Sequence, residues 1–128
     1  VPENFLHLAN ITSLNFHISI LPRFRGINAL EWNVIYDENV GVTLYEIDSG
    51  VDTGNILSQE LVQAKNFKNL NHLRKDLLSL GVRMVAEYIN LGTQRKIKLG
   101  TSPFIHNKQF YRMSEDLSNL SHNFFKKI

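Results

Sequence analysis

Leu70, Leu73, Leu77, Val85 and Ile89 recur at three- and four-residue spacing across residues 69–91, the longest periodic run in the chain. That spacing lines apolar side chains along one side of a long amphipathic helix. Gly81 lies inside the run, where glycine costs about 1 kcal/mol relative to alanine, so it marks close packing, a kink or a break into two helices. Gly92 is the stronger stop signal. In residues 12–18 the period changes: Leu14, Phe16 and Ile18 fall on one side and Asn15, His17 and Ser19 on the other, the alternation of a strand. Pro22 and Gly26 bracket a loop, after which Asn28 and Glu31 have the spacing of a capping box opening a short helix through Trp32, Val34 and Ile35.

Two stretches rich in β-branched and aromatic residues, 40–48 and 55–62, flank the turn SGVDTG and predict a strand pair. Residues 3–10 predict a short helix or an irregular lead-in, and residues 93–113 short extended pieces and turns. Ser114, followed by Glu115 and Asp116, opens a terminal helix through Leu117, Leu120, Phe124 and Ile128. The order of strand, helix, strand pair, helix, tail and helix gives an α/β class. At 128 residues and 43% hydrophobic, the chain suits one domain with a modest core. Its 14 Lys and Arg against 12 Asp and Glu leave a net charge of +2, too small to imply a nucleic-acid partner. The absence of cysteine removes disulfides, thiolate zinc sites and a cysteine nucleophile, and fits a reducing, cytoplasmic setting. No apolar run approaches the roughly 18 residues of a membrane span.

Two polar constellations carry chemistry. Asn15 and His17 project from one side of a strand with Cα atoms about 6.6 Å apart, close enough to approach one small ligand together. An asparagine amide can stabilise a developing oxyanion and an imidazole can accept a proton at neutral pH, a pairing suited to attack on a carbonyl; both can equally serve only neighbouring backbone groups. The second constellation, IDSGVDTGN over residues 47–55, sets Asp48 and Asp52 among turn positions from which a carboxylate can orient an imidazole or relay its proton. It can also be a plain turn. A calcium loop counted from Asp48 fails, because Thr53 stands where glycine is required and Gln59 where glutamate is. The histidines, His7, His17, His72, His106 and His122, lack zinc-ligand spacing, so no metal is expected; His72 and His122 fit exposed helix positions.

Taken in order, NFHISILPRFRG, ALEW, GVTLYEID and SGVDTGNILSQ strongly resemble the folate-dependent formyltransferase family, whose motifs run N-x-H-x-S-x-L-P-x-x-R-G, then G-V-T and D-x-G-x-D-T-G. The resemblance covers residues 15–60 closely and implies the C-terminal portion of a Rossmann-like domain. It implies that Asn15, His17 and Asp52 are the catalytic residues, with 10-formyltetrahydrofolate as formyl donor and a primary amine as acceptor. The loop through Asp48, Ser49, Gly50 and Val51 would border the pterin pocket. Members of the family begin with parallel βα units that precede the catalytic strand, and this sequence starts just before that strand. Residues 1–100 are thus expected to be a partial catalytic domain with little activity alone, its first strand exposing an edge and an apolar face, and 101–128 a tail with a terminal helix.

The ending KQFYRMSEDLSNLSHNFFKKI resembles the tails of formyltransferases acting on nucleotide-linked amino sugars, and Trp32 stands where glycinamide ribonucleotide transformylases and formyltetrahydrofolate hydrolases carry Gln. An amino-sugar acceptor is therefore favoured over a methionyl-tRNA formyltransferase, a hydrolase, or an inactive folate- or partner-binding module. Ser19, Arg23, Arg25 and Tyr111 are candidate acceptor contacts: the arginines suit a phosphate or carboxylate, or form a solvated loop pair, and Tyr111 with Phe110 stacks on a base or packs under the last helix. The aromatic residues Phe104, Phe110, Tyr111, Phe124 and Phe125 fit packing against a partner, such as a second copy in a homodimer, or against the absent portion.

Overall fold

The computed structural model describes residues 12–36, 39–91 and 109–125. The lead-in at 3–10, most of the stretch at 93–113, and His7, Phe104 and His106 lie outside them. Strand β1 (Leu14–His17) is followed by β2 (Arg25–Gly26), helix α1 (Ala29–Ile35), strands β3 (Val40–Glu46) and β4 (Ile56–Val62), a short 3-10 turn (Ala64–Asn66), helix α2 (Leu70–Leu91), β5 (Gln109–Phe110) and helix α3 (Glu115–Phe125). β3 is the centre of an antiparallel sheet ordered β1-β3-β4, and β2 pairs with β5 in parallel. The α/β class holds, with the strand pair and the long helix where the sequence places them.

β3 is buried on both sides. Alternation sends Val40, Val42 and Leu44 toward α2, where they join Leu73, Leu77, Leu80 and Met84 in the core, together with Leu30 and Val34 of α1 and Phe125 of α3. Each such side chain contributes about 1.5–3 kcal/mol by leaving water. On the opposite side lie Thr43 and Tyr45, and the register sets Asn15 against Tyr45 and His17 against Thr43. One sheet therefore has an apolar side resting on α2 and a polar side left to the loops.

Three local expectations change. α2 runs unbroken from Leu70 to Leu91, so Gly81 does not break it into two helices. A Cβ there would overlap the Phe16 ring, which shows that glycine lets the helix approach β1. Leu14, Phe16 and Ile18 consequently pack against the core instead of standing exposed; the edge of β1 away from β3 has no strand partner among the described residues. The capping box does not form. Asn28 adopts φ 58° and makes no side-chain cap; its amide oxygen instead accepts from the backbone N–H of Met113 at 3.1 Å, and Glu31 is buried in an ion pair with Arg74 of α2. Tertiary partners have taken both side chains. The terminal helix does use its expected start, with Ser114 Oγ accepting from the N–H of Leu117 at 3.4 Å.

Gly81→Ala gains about 1 kcal/mol of helix propensity, but crowding a packed interface typically costs about 1–3 kcal/mol. A net loss of about 1–2 kcal/mol is expected, read as a lower urea midpoint at unchanged slope; a more stable variant would remove the close approach as the reason for glycine.

Candidate active site

β1 ends at His17, and the chain turns back beneath it through a loop closed by a cis Leu21–Pro22 peptide. That loop is clamped onto the sheet. Thr43 Oγ1 donates to the Ser19 carbonyl at 2.6 Å and accepts from the Leu21 N–H at 3.0 Å, while Gln59 Nε2 on β4 donates to the Leu21 carbonyl at 2.8 Å. Ser19 is fully buried and its hydroxyl donates to the Arg23 carbonyl at 2.9 Å. It is thus a loop-building residue, and the expected contact between Ser19 and an acceptor does not fit its burial. Although it shares the parity of Asn15 and His17, the strand ends before it and parity no longer sets its direction.

The second loop, between β3 and β4, folds back over the polar side of the sheet. Asp48 Oδ1 accepts from the Gly50 N–H at 2.9 Å and from Thr53 Oγ1 at 2.7 Å, which ties the turn to itself. Asp48, Ser49, Gly50 and Val51 are exposed along its rim. Asp52 points inward. Its backbone sits at φ 51°, a left-handed conformation that Asp tolerates better than most residues, and two donors hold its carboxylate: the Gly26 N–H to Oδ2 and the Tyr45 hydroxyl to Oδ1, each at 2.6 Å. Gly54 makes the fold-back feasible, because a Cβ there would overlap the carbonyl oxygen of Glu46.

These two loops bring the proposed catalytic residues together. His17 Nδ1 lies 3.6 Å from Asp52 Oδ2, and both side chains are only 12% exposed, so solvent screens the pair weakly. The other ring nitrogen, Nε2, lies 2.8 Å from the Phe24 carbonyl. Nε2 is thus within hydrogen-bond distance of a carbonyl acceptor, while Nδ1 faces the Asp52 carboxylate just beyond hydrogen-bond reach. Phe24 holds its carbonyl there at φ 52°, uncommon for a bulky side chain. Asn15 is exposed, and its Nδ2 donates to the Tyr45 hydroxyl at 2.8 Å.

Tyr45 is the site residue that sequence reasoning missed. It lies within an apolar run, and only the β1–β3 register reveals that it stands opposite Asn15. Burial, and next the hydrogen bond to Asp52, push its phenol well above the ordinary value of 10.0. The folded chain thus keeps this proton where the unfolded chain would release it, so the associated stability is intact below pH 10 and declines as pH rises toward the folded value. Tm is expected to fall more between about pH 9 and about pH 11 in the wild type than in Tyr45→Phe; equal losses would show that the phenol does not titrate with unfolding.

Of the acceptor candidates, Arg25 lies on β2 beside the site, its guanidinium donating to the Val51 carbonyl at 3.4 Å. Arg23 stacks near the Phe24 ring, 5.8 Å from its centroid. Tyr111 follows β5, which pairs with β2, and its ring is exposed while its carbonyl accepts from the Trp32 indole at 3.3 Å. That exposure rules out packing of this ring under the last helix. The tail is thereby fastened to α1 next to the loop that carries the arginines.

Residues 1–89 match the family model described as formyl transferase. Among curated proteins, the methionyl-tRNA formyltransferase of Desulfotalea psychrophila is 36% identical over 90 residues, covering 70% of this chain and 28% of that protein. That of Azobacteroides pseudotrichonymphae is 32% identical over 91 residues, again 70% and 28%. The chain thus spans little more than a quarter of these relatives. Among solved structures, the formyltransferase PseJ from Anoxybacillus kamchatkensis, in complex with UDP-4,6-dideoxy-4-formamido-L-AltNAc and tetrahydrofolate, superposes with a TM-score of 0.66 at 29% identity, over 83% of this chain and 58% of that one. WlaRD, a sugar 3N-formyl transferase solved with dTDP and 5-N-formyl-THF, gives 0.59 at 27% identity, over 76% and 36%.

Proposed function

The chain belongs to the formyl transferase family, and from that premise we propose that it transfers the formyl group of 10-formyltetrahydrofolate to the primary amine of a nucleotide-linked amino sugar in the cytoplasm. The observation that carries the chemistry is the convergence of Asn15, His17 and Asp52 on one side of the sheet, Asn15 and Asp52 linked by hydrogen bonds through Tyr45 and His17 Nδ1 lying 3.6 Å from the Asp52 carboxylate. The amine attacks the formyl carbon, which places negative charge on the formyl oxygen and positive charge on nitrogen; the adduct then collapses by breaking the bond from the formyl carbon to N10, and tetrahydrofolate leaves with the proton that the amine gives up. Asn15 offers an amide N–H to that oxygen. A His17 carrying both protons adds positive charge beside it, and Asp52 stabilises that charge. In a ring that carries only one proton, the unprotonated nitrogen can instead accept the amine proton once it turns from the oxygen it faces, and Asp52 stabilises the imidazolium that forms. The exposed rim from Asp48 to Val51 would border the folate, with Arg25 and Tyr111 placed to meet the acceptor.

Support for the sugar acceptor comes from PseJ and WlaRD, whose structures hold sugar-nucleotide or nucleotide ligands together with folates. The curated relatives favour a second reading, methionyl-tRNA as acceptor. The chain's share of its relatives supports a further expectation, that these 128 residues turn over poorly by themselves. The test offers the chain 10-formyltetrahydrofolate with a UDP-linked 4-amino sugar, with methionyl-tRNA, or with water alone, alone and joined to the remainder of a relative. A formamido sugar as the favoured product supports the proposal. Formyl-methionyl-tRNA, formate alone, or folate binding without any product in the joined protein overturns it, and fast turnover by the 128 residues alone overturns the expectation of poor activity.

A further inference from the structure

The donors and acceptors around Tyr45 leave one orientation for the Asn15 amide. A phenol has a single proton, and Tyr45 gives it to Asp52 Oδ1 at 2.6 Å. Its oxygen can then only accept, and the group 2.8 Å away on Asn15 must be the NH2 end. With the amide reversed, two oxygens would face each other at that distance without a proton between them. The amide nitrogen has two N–H bonds; one is used by Tyr45, and the second is left for another acceptor. The phenol is 3% exposed, and phenylalanine would fill the same space, so the hydroxyl serves these two polar partners.

We infer that Tyr45 is a positioning residue that fixes which end of the Asn15 amide enters the site, and that it does so because its hydroxyl hydrogen is committed to a hydrogen bond with Asp52. This rests on the assignment of Asn15 as the donor to the formyl oxygen, and it adds a dependence between two groups that do different work. The carboxylate that orders His17 also sets, through one phenol, the direction of the oxyanion donor. Without the hydroxyl, Asn15 keeps its place on β1 but can present oxygen or nitrogen, and turnover should drop about tenfold with KM little changed.

The inference can be tested without turnover, so its outcome stands apart from that of the proposed function. In the 15N-labelled 128-residue chain, the two Nδ2 protons of Asn15 should resonate well apart, one shifted downfield, and interchange more slowly than those of exposed Asn71 on α2. In Tyr45→Phe the pair should close up and interchange faster, while backbone amides away from β1 and the Asp48–Gly54 loop stay in place. An Asn15 pair that matches Asn71 in the wild type, or that is unmoved in a folded Tyr45→Phe, would overturn it.

Discussion

His17→Ala is expected to lower formyl transfer by about 10²–10⁴-fold, the usual worth of a positioned acid–base group, and Asn15→Ala by about 10²–10³-fold, that of one oxyanion donor. The two should differ in what else they disturb. His17 is largely buried between Asp52 and the Phe24 carbonyl, so its removal also leaves that carbonyl short of a donor and opens a gap beside Asp52, and some stability should go with the activity. Asn15 is exposed and bound only through its amide among the described contacts; its alanine variant should melt close to the wild type. The measurement is kcat/KM for both variants in the protein joined to the remainder of a relative, with whichever acceptor that protein formylates, alongside Tm. Near-normal turnover by either variant would take that residue out of the mechanism.

Gly54→Ala should be more damaging than its size suggests. A single added carbon would overlap the Glu46 carbonyl and come within 3.2 Å of the Tyr45 ring, and backbone cannot step aside as a flexible side chain can. The turn must then lift from β3, and Asp52, two positions earlier, lifts with it. Both 2.6 Å contacts of that carboxylate, to Gly26 and to Tyr45, depend on the turn lying flat. We expect a loss of transfer comparable to that of His17→Ala, about 10²-fold or more, with a Tm lowered by a few degrees, as for a loss of about 1–2 kcal/mol. Serine at Gly54 should behave like alanine, since it brings the same Cβ. Wild-type activity in either variant would show that the turn has room the geometry denies it.

Much of this arrangement is legible in the residues, for reasons that differ from place to place. Asn15 and His17 can be paired by eye because strand parity is strict over a few residues. The β3–β4 pair follows from the glycine turn between two β-rich stretches, and α2 from a long run of leucines at helical spacing. Tyr45 escapes the same logic. When a strand is buried on both sides, alternation of polar and apolar residues fades, and a tyrosine within it reads as core. Only the partner strand tells which way it points. Asn28 and Glu31 mislead for another reason: their spacing suits a local cap, but Met113 and Arg74, far away in sequence, offer partners that local pattern cannot foresee. Ser19 fails through geometry, since parity counts only while the strand continues.

The two-sided burial of β3 also bears on how such a sequence can change. Val42 and Thr43 are neighbours in the chain, one pressed on α2 and the other holding the Pro22 loop. Leu44 and Tyr45 repeat that division one step on. A core substitution that slides β3 by half an ångström carries Tyr45 with it, and hydrogen bonds of 2.6 and 2.8 Å weaken over such a distance. Drift in the interior and tuning of the chemistry are therefore one process along this strand. Variants selected for a new acceptor should include changes on α2, remote from any substrate, that reset the strand's height.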